Sequence, residues 1–97
     1  EGLQFLARAA EGMPQRSRVQ YNFGLLLAQL SRDSEAETAL RRALDLEPRN
    51  FDYLYALIEF HYKRGQFKDA LELADVMIRL HPQQRFGYDI KAAIEAR

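Results

Sequence analysis

The three prolines of this chain, Pro14, Pro48 and Pro82, are spaced 34 residues apart each time. Other residue types recur at the same interval, and Tyr21, for example, returns as Tyr55. Further identical pairs are Leu6 with Leu40, Ala36 with Ala70, and Leu46 with Leu80. A fixed period of about 20 to 50 residues is the sequence signature of a stacked repeat architecture.

The apolar residues within each period follow helical spacing. Those from Ala36 to Leu44 fall at i, i+3, i+4, i+7 and i+8, which places them on one face of a helix. Prolines follow every second helix, where they push the preceding residue out of the helical region. No segment alternates apolar and polar residues as a strand does. The pattern therefore predicts six helices, over residues 3–12, 18–30, 34–46, 52–64, 68–80 and 85–96.

Two helix ends carry capping signals. Gly65 lies where the first helix of the second period must stop, and glycine readily adopts the left-handed conformation of a helix C-terminal cap. Ser34 and Glu37 have capping-box spacing, so we expect Ser34 to cap the N-terminus of the third helix.

Composition and charge narrow the function classes. The 97 residues suffice for one small domain, and 14 basic residues balance 14 acidic ones. A nucleic-acid-binding protein normally shows a basic excess, so we expect no nucleic-acid partner. No apolar run reaches about 18 residues, so we expect no direct membrane insertion. Cysteine is absent, which excludes disulfides and thiolate metal sites but leaves the compartment open between cytoplasm and periplasm.

With Ser17 as its first position, the first period resembles a tetratricopeptide repeat. That family has large apolar residues at positions 4, 7, 11 and 24, small residues at 8, 20 and 27, and proline at 32. The corresponding residues are Gln20, Phe23, Gly24, Leu27, Ala36, Leu40, Ala43 and Pro48. Seven of these eight match the pattern, and Gln20 is the exception.

The second period matches the same pattern less closely. Its residues are Leu54, Leu57, Ile58, His61, Ala70, Ala74, Met77 and Pro82, of which four match clearly. Ile58 stands where the family has a small residue, so we expect the two helices of this hairpin to approach less closely. Ala74 and Met77 exchange large and small, an exchange that can conserve volume.

The resemblance implies an all-α fold: an α-solenoid of antiparallel helix hairpins, with about six helices in a right-handed superhelical stack. It implies a single domain over residues 1–97. Within it, 1–16 is the second helix of a truncated repeat, 17–50 and 51–84 are repeats, and 85–97 is a terminal capping helix. Lys91 and Glu95 place polar side chains at otherwise buried positions of that last helix, as a solvated cap requires. Since the chain starts at Glu1 without a methionine, we expect it to be a piece of a longer protein.

The resemblance also implies a peptide-binding groove, because the first helix of each repeat lines the concave surface in this family. The groove residues are Arg18, Tyr21, Asn22, Leu25 and Gln29 in the first repeat, Asp52, Tyr55, Glu59, Tyr62 and Lys63 in the second, and Phe86 and Asp89 in the last helix. The three tyrosines are the expected anchors, since tyrosine is common at interaction hot spots. One subtype of the family holds a peptide carboxylate with a lysine and an asparagine, at positions where this chain has Tyr21 and Leu25. We therefore do not expect that subtype.

No catalytic residue, cofactor motif or metal site is predicted. His61 and His81 lie in different helices without a ligand motif around them, and His61 is interpreted as a core histidine. Glu59 and Asp89 would face solvent in an open groove, which offers no desolvated carboxyl group for acid–base catalysis.

We therefore interpret the chain as a non-enzymatic protein–protein interaction module, a scaffold or adaptor that binds a peptide or a partner helix in its groove. One alternative is a structural spacer, or a segment that self-associates through exposed end helices. A weaker alternative is RNA binding, which the neutral charge opposes.

Overall fold

The structure, a computed structural model, describes residues 2–13 and 15–97. Over that part the chain forms six helices and no strand: α1 (Gly2–Gly12), α2 (Ser17–Gln29), α3 (Asp33–Leu46), α4 (Phe51–Lys63), α5 (Phe67–Leu80) and α6 (Arg85–Glu95). Each predicted helix is confirmed, with both ends within one residue of the prediction. Pro14 lies outside the described residues, whereas Pro48 and Pro82 lie in the turns that follow α3 and α5.

Consecutive helices pack against each other, and α2 also contacts α4. The connections are only three or four residues long, so neighbouring helices run antiparallel as hairpins. We call α2 with α3 the first hairpin and α4 with α5 the second hairpin. The molecule measures 40 × 24 × 16 Å, an elongated shape that suits a stack of hairpins. The fold is an all-α repeat solenoid, as predicted.

Helix α4 lies at the centre of the core because it is buried on two sides. One cluster joins α2, α3 and α4 and consists of Leu27, Ala36, Ala39, Leu40, Ala56, Leu57 and Phe60. A second cluster joins α4 and α5 and consists of Leu54, Ile58, Ala74 and Met77, with Phe86 and Ile90 of α6 packed against it. Each buried large aliphatic side chain stabilises the fold by about 1.5–3 kcal/mol. The stack is therefore stabilised by contacts between hairpins as well as within them.

Both hairpins turn through the same hydrogen-bonding pattern. At the end of α4, Gly65 has a φ of 73°, its N–H donates to the carbonyl of Tyr62, and the N–H of Gln66 donates to that of His61. The prediction that Gly65 caps this helix is confirmed. At the end of α2, Ser31 takes the same position 34 residues earlier, with a φ of 62°. A residue other than glycine is strained in this left-handed region. The turn of the first hairpin therefore carries conformational strain that the turn of the second hairpin does not.

The expected capping box at the third helix is wrong. Helix α3 begins at Asp33, with Arg32 at the N-cap and no hydrogen bond from a capping side chain. Ser34 therefore lies inside the first turn, where its carbonyl accepts a hydrogen bond from the Thr38 hydroxyl. A side-chain N-cap occurs instead at α4, where the side chain of Asn50 accepts a hydrogen bond of 3.2 Å from the N–H of Tyr53.

A polar contact fastens the loop after α3 to the start of α2. The hydroxyl of Ser17 donates to the carboxylate of Glu47 and lies 2.9 Å from the hydroxyl of Tyr53. The side-chain amide of Asn50 also donates to Glu47. Hydrogen bonds from Ser17 and then Asn50 lower the pKa of Glu47, because they favour its charged form. These contacts tie three consecutive helices together at one end of the stack.

The two histidines are structural. His61 is buried, which confirms its interpretation as a core residue, and its Nδ1 donates to the side-chain oxygen of Gln66 at 2.7 Å. His81 caps the C-terminus of α5, and its Nε2 donates to the carbonyl of Arg49 at 2.7 Å. His61 thus holds the turn after α4 against that helix, and His81 connects the turn after α5 to the turn after α3.

Candidate functional site

A cleft of about 400 Å³ opens between α2 and α4, the first helices of the two hairpins. Helical spacing creates it, because residues three or four apart share one face of a helix. Half of the twelve predicted groove residues line it: Tyr21, Leu25 and Gln29 from α2, and Tyr55, Glu59 and Lys63 from α4. The remaining lining residues are Ala28, Leu40, Ala56, Phe60 and Arg64.

The cleft combines an apolar floor with hydrogen-bonding walls. Leu40, Ala56 and Phe60 are buried beneath it, whereas Leu25 is 36% exposed and Tyr55 is 37% exposed. Tyr21 is half-buried, and burial is the main cause that raises its pKa. Its hydroxyl therefore stays protonated at neutral pH and remains available as a hydrogen-bond donor.

The charges in and beside the cleft are arranged in opposite pairs. Arg18 of α2 lies 3.8 Å from Asp52 of α4, and its guanidinium sits 5.1 Å from the centre of the Tyr21 ring. At the other end of α4, Lys63 lies 3.9 Å from Glu59. Such exposed pairs contribute at most about 1 kcal/mol each to stability, so a ligand can rearrange them at low cost.

Other predicted groove residues contact neighbouring helices or stand at the rim. Phe86 of α6 stacks on Tyr55, with ring centres 4.1 Å apart, so one face of that tyrosine is already covered. Tyr62 packs edge-on against Phe67 of α5 at 5.5 Å and does not line the cleft. Asn22, Asp52 and Asp89 are exposed outside its lining, like Arg18.

Sequence reasoning missed Leu40, Phe60 and Arg64 as cleft residues. The Arg64 guanidinium lies 3.8 Å from the centre of the Phe60 ring and donates to the Asp33 carboxylate at 2.9 Å. The i,i+4 spacing of an aromatic and an arginine was the available signal, since such residues share a helix face. Asp33 begins α3, so this contact joins the first hairpin to the second.

Lys91, one of the two polar residues expected to face solvent on the last helix, also has a specific partner within the chain. Lys91 forms a 3.1 Å ion pair with Asp75 of α5, and this hydrogen bond is the main cause that raises the pKa of Lys91. Glu95 is exposed. Lys91 therefore holds α6 on α5 in addition to facing solvent.

Within residues 2–13 and 15–97, no group of three or more histidine, aspartate or glutamate side chains could hold a metal ion. Across the same residues, each helix is too short or too polar to span a membrane.

These features define a helical-hairpin repeat protein with an open cleft between α2 and α4, the first helices of its two hairpins. A model of the tetratricopeptide repeat family matches residues 21–85, which is 65 of the 97 residues and runs from α2 to the start of α6. The chain belongs to the tetratricopeptide repeat family. Repeats of this family generally serve as protein–protein interaction modules and are typically non-catalytic scaffolds.

Proposed function

We propose that the chain is a non-enzymatic adaptor that binds a peptide or a helix of another protein in the cleft between α2 and α4. The observation that supports this most is the exposure of Leu25 and Tyr55 over a buried apolar floor. A ligand side chain placed there would bury apolar surface on both partners, which is the main source of affinity in such interfaces.

The walls of the cleft fit a peptide better than a small molecule. The cleft is open along one side, and its polar groups, Gln29, Glu59 and Lys63, stand at intervals along the helices. Amide and charged groups spaced in this way can pair with successive backbone or side-chain groups of a ligand. With one cleft of this size, we expect a dissociation constant of about 1 μM, or roughly −8 kcal/mol.

A selected peptide provides the test. A random peptide library is panned against the intact chain, and the best binder is labelled and titrated by fluorescence anisotropy. Leu25→Glu and Tyr55→Ala change the cleft. Leu30→Glu and Tyr88→Ala are their matched controls, because Leu30 and Tyr88 are 48% and 46% exposed and lie outside the cleft.

We expect each cleft variant to weaken binding about tenfold, or about 1.4 kcal/mol, and each control to bind like the wild type. Circular dichroism melts establish that all four variants fold, which matters for Tyr55 because it also packs on Phe86. Equal binding by folded cleft and control variants would refute the cleft as the binding surface.

A further inference from the structure

The charged side chains that line the cleft, Glu59, Lys63 and Arg64, differ in how far the fold already engages them. The Arg64 guanidinium donates to the Asp33 carboxylate at 2.9 Å and to the carbonyl of Phe60 at 3.1 Å. Its side chain is only 24% exposed. Arg64 is therefore held by contacts within the chain and offers little to an acidic group of a ligand.

Lys63 and Glu59 form a weak ion pair with each other. Their charged atoms lie 3.9 Å apart, and the Lys63 side chain is 67% exposed whereas that of Glu59 is 43% exposed. The amine of Lys63 can turn into solvent at low cost, because exposed ion pairs contribute little to stability. Glu59 is the more buried and the shorter of the two side chains, so its carboxylate stays at the wall of the cleft. A basic group of a ligand can take the place of the lysine there.

Two tyrosines add aromatic surface beside this carboxylate. Tyr55 precedes Glu59 by one helical turn on the same face of α4, and Tyr21 lines the cleft from α2. Burial is the main cause that raises the pKa of Tyr21, and the carboxylates of Asp52 and Glu59 raise it further, an effect that Arg18 offsets only in part. This part of the cleft therefore has a negative field. Aromatic rings and a carboxylate together attract a cation.

The chain itself contains an arginine bound in this way. The Arg18 guanidinium lies 5.1 Å from the centre of the Tyr21 ring and 3.8 Å from the Asp52 carboxylate, so a ring and a carboxylate hold it together. Tyr55 and Glu59 supply a second ring and a second carboxylate within the cleft. Phe86 stacks on one face of Tyr55 and still leaves this residue 37% exposed, so part of its ring remains open to a ligand.

We propose that the ligand of the cleft is a basic peptide segment whose arginine pairs with the Glu59 carboxylate, in place of Lys63, and stacks on the open part of the Tyr55 ring. The proposal rests on the proposed function and specifies the chemistry of the partner: an arginine next to an apolar residue that covers Leu25. Arginine suits the site better than lysine, because its planar guanidinium stacks on an aromatic ring and can donate two hydrogen bonds to one carboxylate.

Fluorescence anisotropy with the peptide selected against the intact chain tests the proposal. Each arginine of the peptide is replaced in turn by citrulline, which has nearly the same shape and no charge. In the chain, Glu59→Gln removes the charge, and Glu72→Gln, on the exposed surface of α5, is its matched control. Lys63→Gln removes the competing cation, and Leu25→Ala reports on the cleft without changing any charge. Circular dichroism verifies that each variant folds.

We expect Glu59→Gln to weaken binding of the selected peptide about tenfold and Glu72→Gln to leave it unchanged. One citrulline peptide should bind the wild type about tenfold more weakly, yet bind Glu59→Gln without further loss, because the two changes remove the same ion pair. Lys63→Gln should bind the selected peptide at least as tightly as the wild type does, since Glu59 is then free of its partner.

A selected peptide without arginine would overturn the proposal, and so would a Glu59→Gln variant that binds like the wild type. Weaker binding by Lys63→Gln would also overturn it, because that result would mean that the cleft binds an acidic group. Leu25→Ala separates these failures from failure of the proposed function. If Leu25→Ala still weakens binding, the cleft remains the binding surface and only the chemistry of the ligand is wrong. If it has no effect either, the proposed function fails as well.

Discussion

The two hairpins share one period and one turn geometry, but they fill the space between their helices in opposite ways. In the first, Gly24 lies so close to Leu40 that a Cβ atom at residue 24 would come within 2.7 Å of the Leu40 side chain. In the second, the bulky Ile58 is on the inner helix, and the small Ala74 faces it from α5. Each hairpin therefore pairs a large residue with a small one across the interface between its helices, and each half of the pair depends on the other.

The two hairpins also differ in how closely their helices approach. The backbones of α2 and α3 approach each other more closely than those of α4 and α5, which is the direction expected from Ile58. The hairpins differ at the ends as well. Ser31 stands where the second hairpin has Gly65, and Glu47 stands where it has His81. The following substitutions test which of these differences contribute to the stability of the fold.

The largest effect is expected from Ile58→Ala. Ile58 is fully buried, and small Ala74 opposite it cannot fill the space that the substitution opens. We expect a loss of about 3 kcal/mol in the free energy of unfolding, measured by urea denaturation. A loss below about 1 kcal/mol would show that the helices of the second hairpin close up, and that the spacing is not set by Ile58.

The next largest effect is expected from Gly24→Ile, which places the residue of the second hairpin into the first. It should cost about 2 kcal/mol because Leu40 occupies the space. Leu40→Ala alone should also destabilise, by leaving a cavity. The double variant Gly24→Ile/Leu40→Ala copies the Ile–Ala pair of the second hairpin. Its loss in the free energy of unfolding should be smaller than the sum of the two single losses by about 1 kcal/mol or more. Simple additivity in a double-mutant cycle would contradict the account of paired packing.

A smaller and opposite pair of effects is expected at the two turns. Ser31→Gly should stabilise the protein by about 0.5–1 kcal/mol, because glycine adopts the positive φ of this position without strain. Gly65→Ala should destabilise by about 1 kcal/mol for the same reason. Thermal melts of the two variants would contradict this reading if both moved the midpoint in the same direction.

The smallest effect is a pH dependence that belongs to the first hairpin. The pKa of Glu47 is lowered from its ordinary value of 4.5 by hydrogen bonds from Ser17 and Asn50. A carboxyl group with a lowered pKa in the folded state contributes stability that is present above 4.5 and is lost as pH falls through the folded-state value.

Glu47→Gln should therefore be less stable than the wild type at pH 7, and the difference should shrink as pH is lowered below 4.5. Thermal melts at a series of pH values measure it. Glu35→Gln, on the exposed surface of α3, is the matched control. A stability difference for Glu47→Gln that does not change with pH would show that its charged form is not favoured in the fold.

The fold could be predicted almost completely from the 34-residue period and the apolar spacing within it. The error at Ser34 arose because several polar residues surround the start of α3, so local sequence did not identify the one at the cap. The cleft was harder to predict, as Tyr62 shows. Its position along the chain matches the lining helix face, but its ring packs against Phe67 of the next helix instead of lining the cleft, and only tertiary packing determines that contact.

The central claim is that the cleft between α2 and α4 is the surface on which a protein ligand binds. An NMR titration tests it most directly: the selected peptide is added to ¹⁵N-labelled chain, and the shifts of backbone amide signals are mapped. We predict the largest shifts at Leu25, Ala28, Ala56 and Glu59, which line the cleft. Only small shifts are expected at Arg42 and Arg79, which are exposed on α3 and α5, the second helices of the two hairpins. Shifts concentrated on α3 and α5, with α2 and α4 unaffected, would contradict the claim.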